Sequence, residues 1–143
     1  MDSIDREIIT LLQKNARMPL KALAGEVHLS SPAVSSRIER LEAEGIIEGY
    51  TVMLNHEKLG YPIVAYINLD LDPSDKVRFY PYVEKCHNVL ECACVTGQYS
   101  ILLKVAFGST GQLDTFIGEL QQFGKTKTQI VFSTNVKPRS IGL

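Results

Sequence analysis

The stretch Ser31-Pro32-Ala33-Val34-Ser35-Ser36-Arg37-Ile38-Glu39-Arg40-Leu41 gathers the side chains best suited to touching another molecule. Val34, Ile38 and Leu41 recur at helical spacing and must face a core. At about 100° per residue, Pro32, Ser36, Glu39, Arg40 and Ala43 then lie on the far side, flanked by Ala33 and Arg37. Small hydroxyls and guanidiniums on such a face suit the major groove of DNA. Arginine makes paired hydrogen bonds to guanine or holds phosphate, and serine bonds to phosphates or base edges. The candidate DNA contacts are therefore Ser31, Pro32, Ala33, Ser35, Ser36, Arg37 and Arg40. The competing reading of the two arginines is a solvated face paired with nearby acids.

The other reactive side chains point elsewhere. Three cysteines, an odd number, argue against a disulfide framework and suit a reducing compartment. Cys92-Ala93-Cys94 could form a soft-metal pair. Residues two apart on a strand share a face, however, and cysteine is among the most buried residue types, so core packing is expected. No second ligand pair stands at zinc spacing, and Cys86-His87 is the only other candidate, so no metal site is expected. His28, His56 and His87 fall on different elements with no evident pairing of nucleophile and base. Neither a catalytic centre nor a cofactor is expected.

Charge limits how DNA could be held. The chain carries 15 Lys and Arg against 16 Asp and Glu, a net charge of −1. Residues 1–54 hold six basic and eight acidic residues, a net of −2; residues 55–143 hold nine and eight, a net of +1. Nonspecific attraction to phosphate must be weak, so binding has to rest on a few placed groups and several copies acting together. A hydrophobic content of 45% is ordinary for a globular chain. The apolar runs fall far short of the roughly 20 residues of a bilayer span, and Met1-Asp2-Ser3-Ile4-Asp5-Arg6 does not open a secretion signal. The cytoplasm is the expected compartment.

The elements that position these side chains follow from periodicity and punctuation. Asp2 caps a first helix with Ile4, Ile8, Leu11 and Leu12 on one stripe, ended by Lys14-Asn15-Ala16-Arg17 and Met18-Pro19. A short helix runs from Leu20 to about Val27, with Leu23 and Ala24 on its inner face, and His28-Leu29-Ser30 forms a tight connector. Ser31 or Ser30 caps the third helix, Pro32 sits near its first position, and Gly45 stops it. A short helix, a three-residue turn and a polar-faced third helix form a helix-turn-helix. Residues 46–54 read as two short β segments about Gly49, a wing. Residues 55–62 lose periodicity and form a hinge. Beyond them come a strand Ile63–Leu71, a helix after Asp72-Pro73-Ser74 ending near Cys86 with a break at Pro81, strands Val89–Thr96 and Ser100–Phe107, a helix Thr110–Phe123 and a strand Thr126–Val136. The order β-α-β-β-α-β predicts an α+β, ferredoxin-like sandwich over residues 63–143. Its uncovered sheet face, with Val64, Tyr66, Glu91 or Cys92, Lys104 and Val131, is too apolar to stay in water. Association through it is expected.

Asp2-x-x-Asp5-Arg6-x-Ile8, Leu11-Leu12-Gln13, Asn15-Ala16-Arg17, Leu23-Ala24, Leu29-Ser30 and Arg37-Ile38-x-Arg40-Leu41-Glu42-x-x-Gly45-Ile46-Ile47-x-Gly49-Tyr50 together resemble the Lrp/AsnC family of bacterial and archaeal transcription regulators. Leu59-Gly60 fits as well. The likeness covers nearly the whole chain and is carried in the second half by Val95-Thr96-Gly97-x-Tyr99. It implies a winged helix-turn-helix joined to a ferredoxin-like (RAM-type) ligand domain, dimers that assemble into octamers, and a small amino acid bound in clefts between dimers that alters assembly. The family's cleft loop usually reads Gly-Asp-Tyr-Asp; here it is Gly97-Gln98-Tyr99-Ser100, without either acid. These four residues, with Thr126 and Thr128 on the last strand, are the implied effector-binding set. Gln98 and Ser100 would hold a ligand by neutral hydrogen bonds. Two alternatives stand beside this one. An architectural DNA-binding protein would need no effector. A siroheme-decarboxylase-like enzyme typically carries His-Asn-Tyr-x-Arg and a Trp, where this chain has His87-Asn88-Val89 and no Trp.

Overall fold

The computed structural model describes residues 1–143. The chain divides into two compact units, residues 1–53 with 136–143, and residues 54–135. In the first, α1 (Ser3–Lys14), α2 (Leu20–Glu26) and α3 (Ser31–Ala43) enclose a core of Ile8, Leu23, Ala24, Val27 and Val34. Each helix starts where the chain supplies a partner for its free amides. Asp2 caps α1 in a reciprocal capping box with Asp5, and the Ser30 hydroxyl, not that of Ser31, accepts the Ala33 amide to cap α3. Gly45, at φ 68°, ends α3: its amide donates to the Glu42 carbonyl and the Ile46 amide to the Leu41 carbonyl, a Schellman motif.

The expected wing is not formed. Residues 46–62 contain no strand. The Ile46 and Ile47 amides are both committed to the Leu41 carbonyl and so are withdrawn from any ladder. Val52, Met53 and Leu54 are left exposed, as a two-stranded ribbon with no third partner is marginal in water.

The second unit is a four-stranded antiparallel sheet in the order β2-β3-β1-β4, formed by β1 (Ile63–Leu71), β2 (Val89–Cys94), β3 (Ile101–Phe107) and β4 (Gly124–Ile130). Helices α4 (Lys76–Glu84) and α5 (Thr110–Leu120) cover one face. Alternation along β1 sends Ala65, Ile67, Leu69 and Leu71 inward, where they meet Phe79, Leu103, Phe116 and Leu120. Four expectations change here. Pro81 does not break α4: the carbonyl it leaves unpaired belongs to Val77, in the helix's exposed first turn, where it is open to solvent. The fourth strand stops at Ile130 instead of Val136, and Phe132 is fully exposed. Residues 136–143 group with the first unit, where the Gln13 side-chain amide donates to the Ile141 carbonyl at 3.0 Å.

The fourth change concerns the cysteines. A β-bulge between Val89 and Glu91 pairs Val89 with Val105 but Glu91 with Lys104, shifting the strand by one residue. Glu91 therefore falls on the uncovered face and Cys92 and Cys94 on the helix side, opposite Leu103 and Ile101. Both cysteines are exposed on this edge strand and do not join the core.

Candidate nucleic-acid interface

The site is the outer face of α3 together with the helix that holds it. Pro32, Ser36 and Glu39 are exposed, Ser31, Ala33 and Ser35 partly so, and Val34 and Leu41 point inward. The Ser35 hydroxyl donates to the Glu39 carboxylate at 3.0 Å, one turn on. The N-terminal half of α3 thus presents a solvent-facing surface of small side chains that leaves room for another molecule to approach closely.

Arg37 and Arg40 do not project freely from that surface. The Arg37 Nη1 donates to Asp2 and to Asp5, both at 2.7 Å, and the Arg40 Nη2 donates to Asp5 at 2.6 Å. The Asp5 side chain is completely buried, while Arg37 and Arg40 keep 26% and 47% of theirs exposed. Both guanidiniums therefore clamp α3 onto the start of α1: they pair with acids, as the competing reading had it, but across to another helix and a buried carboxylate. The clamp is electrostatically consistent. Burial pushes the Asp5 carboxyl up, but the Asp2 amide and the Arg37 and Arg40 guanidiniums outweigh it and leave its pKa below the ordinary value. The Asp2 carboxyl is lowered to about 2, first by the hydrogen bond from Arg37 and then by the Asp5 amide. No buried side-chain polar atom in the chain lacks a partner.

Asp2 and Asp5 are thus part of the site, although the sequence presents them only as a helix cap and a favourable first-turn acid. The available signal was two acids at N-cap and N3 of one helix facing two arginines three apart on another. Tyr50, in the absent wing, also ties back to α3 by donating to Glu42 at 2.9 Å.

The six implied effector residues lie in the second unit. Gly97, at φ 110°, makes the turn between β2 and β3, and the exposed Gln98 follows it. The Ser100 hydroxyl accepts the Leu71 amide at 3.3 Å, and its carbonyl accepts the Val95 amide. Thr126 and Thr128 sit on β4 opposite Leu69 and Ile67. Leu69 also pairs with Ile101, the residue after Ser100, so the loop and Thr126 share one end of the sheet with β3 and β1 between them.

Comparison with known proteins agrees with this architecture. Residues 1–42 match the AsnC-type helix-turn-helix domain, and residues 64–141 match the Lrp/AsnC ligand binding domain. The transcriptional regulator LrpC of Bacillus subtilis is 31% identical over 133 residues, covering 93% of this chain and 92% of its own. LrpA of the same organism is 34% identical, covering 92% and 97%. Among solved structures, B. subtilis LrpC superposes with a TM-score of 0.91 at 30% identity over 96% of this chain and 99% of its own. A feast or famine regulatory protein from M. tuberculosis complexed with L-methionine gives 0.91 at 30% identity, covering 99% of each chain. A Neisseria meningitidis regulator in complex with L-methionine gives 0.89 at 26%, covering 100% and 96%. These relatives are regulators and not enzymes, and no helix here is long and apolar enough to cross a membrane. The chain belongs to the Lrp/AsnC family of DNA-binding helix-turn-helix transcription regulators.

Proposed function

We propose that the protein reads an operator in the cytoplasm through the N-terminal half of α3, with Ser31, Pro32, Ala33, Ser35 and Ser36 nearest the duplex. Arg37 and Arg40 act chiefly by fixing the angle of α3, and Arg40, half exposed, also reaches phosphate. The observation that carries this reading is the clamp itself. An exposed helix with small polar residues is held rigidly by a buried carboxylate, as a reading head must be. Two copies associate through the uncovered sheet face, where Val64, Tyr66, Leu102 and Val131 would otherwise meet water, and dimers assemble further toward an octamer.

A small amino acid such as methionine, the ligand of two relatives, modulates that assembly at the Gly97–Ser100 loop with Thr126 and Thr128. Gln98 supplies neutral hydrogen bonds there in place of carboxylates.

The test is fluorescence anisotropy on DNA from upstream of the coding region against scrambled DNA, with and without L-methionine. Ser36→Glu, on the exposed face, is expected to weaken operator binding at least about tenfold at unchanged melting temperature, because it sets a charge against phosphate. Gln98→Ala is expected to remove the methionine response alone. Equal affinity for both DNAs, unaffected by Ser36→Glu, would move the protein to an architectural role.

A further inference from the structure

We propose that Cys92 and Cys94 form a two-sulfur site for a single soft, thiophilic cation such as Cu(I), on the edge strand of the second unit. The bulge at Leu90 makes the site. Without it Cys92 and Cys94 would fall on the uncovered face with Tyr66 and Lys104; with it both thiols stand on the other face, exposed and side by side. Their floor is apolar, since their cross-strand neighbours Leu103 and Ile101 are fully buried.

Spacing selects the occupant. Residues two apart on a strand are about 6.6 Å apart along the chain, with side chains nearly parallel. A disulfide needs β-carbons within roughly 4.5 Å, which this strand does not offer without distortion. Two sulfurs sharing one metal ion in line stand about 4.6 Å apart, twice an ordinary metal–thiolate bond. Each exposed thiol covers that difference by leaning inward about 1 Å, a motion within its rotamer freedom. No group of three or more His, Cys, Asp or Glu side chains is arranged to hold a metal, so ions that demand four ligands or oxygen donors are not served. Thiolates alone select a soft cation. Binding involves no electron transfer. Each thiol releases its proton and donates one sulfur lone pair, so two protons leave as one ion enters. Both thiols lie opposite the face proposed for dimerisation, and stay accessible in that dimer.

The experiment is an anaerobic titration of the reduced full-length protein with Cu(I) against a competing chelator. Wild type is expected to take one ion per chain. Cys92→Ser and Cys94→Ser should each weaken binding at least about 100-fold, the advantage of a second tethered ligand. Cys86→Ser should change nothing, since that thiol is engaged with the Tyr82 carbonyl at the end of α4. Both edge-strand cysteines are exposed, so their serine variants are expected to melt with the wild type. Tight binding that survives either substitution, or one ion shared by two chains, would overturn the proposal.

Discussion

Replacing Asp5 tests whether α3 is positioned by its own surface or by α1. In Asp5→Ala, α3 loses two charged hydrogen bonds to a fully buried carboxylate, at 2.7 and 2.6 Å, and α1 loses half of its capping box. Hydrogen bonds to charged groups contribute about 1.5–3 kcal/mol each, and removing one partner of a buried pair costs about 3–5 kcal/mol. Here the stranded groups are Arg37 and Arg40, which keep 26% and 47% of their side chains in water and can be rehydrated. The lower end applies, about 3 kcal/mol, which for a unit of this size moves its melting by more than about 10 °C. Because the two units need not unfold together, the readout is amide hydrogen exchange of α1 and α3, with β1 and β3 as internal reference. Asp5→Asn keeps the shape and removes only the charge; it should lose most of the same stability, and operator affinity should fall with α3 protection. A loss below about 1 kcal/mol with α3 still protected would refute the clamp.

The same network sets an acid limit. Both carboxyls have folded pKa values below the unfolded value of about 3.9, so their contribution is present above that pH and disappears as pH falls through the folded values, about 2 for Asp2. The first unit should lose stability between about pH 4 and pH 2, less steeply in Asp5→Asn, as followed by circular dichroism and exchange. In the second unit, a β-carbon on Gly124 would stand 1.8 Å from the Asp70 carbonyl oxygen, so Gly124→Ala should cost at least about 2 kcal/mol in thermal unfolding. Gly118, inside α5 with nothing within 4 Å, should do the reverse, gaining about 0.5–1 kcal/mol on Gly118→Ala. Val64→Asp places a charge in the uncovered sheet face and should shift sedimentation from dimer to monomer; an unchanged profile would put the dimer contact elsewhere. Operator binding should show a shallow salt dependence. Two phosphate contacts from each of two copies give a log–log slope of about −3.6, whereas a slope steeper than about −7 would reveal contacts beyond this surface.

What the sequence disclosed and what it withheld divide along a physical line. Periodicity placed Val34, Ile38 and Leu41 against the core and Ala65, Ile67 and Leu69 beneath the helices, because apolar burial leaves a repeating mark on the chain. It located Asp2 as a cap and Gly45 as a stop because those roles are local. Contacts between elements left no such mark. The partners of Arg37 and Arg40 could not be named, since they stand more than thirty residues away on a helix whose acids already had an explanation. Cys92 and Cys94 were assigned to the core by residue type, yet a one-residue bulge and an edge position decide their exposure. The wing failed for a similar reason. Whether Ile46–Leu54 pairs depends on amides that the end of α3 has already taken.

The clamp also explains the awkward charge of residues 1–54. Counted as separate ions, two acids at the start of α1 repel phosphate and two arginines on α3 attract it, which looks like waste. Joined, they cancel within the unit and contribute little field outside it, so what they supply is geometry. Within residues 1–54 that leaves Arg6, Lys14, Arg17 and Lys21, all exposed and outside any ion pair, as the cations open to a duplex. Four charges set against six remaining acids cannot gather DNA from a distance. On the proposed reading they act only once a duplex is seated on α3. A reading head built this way exchanges long-range attraction for discrimination, and the missing affinity has to come from joining copies. The uncovered sheet face of the second unit, with Val64, Tyr66, Leu102 and Val131 among its charged neighbours, is the surface we propose for that joining.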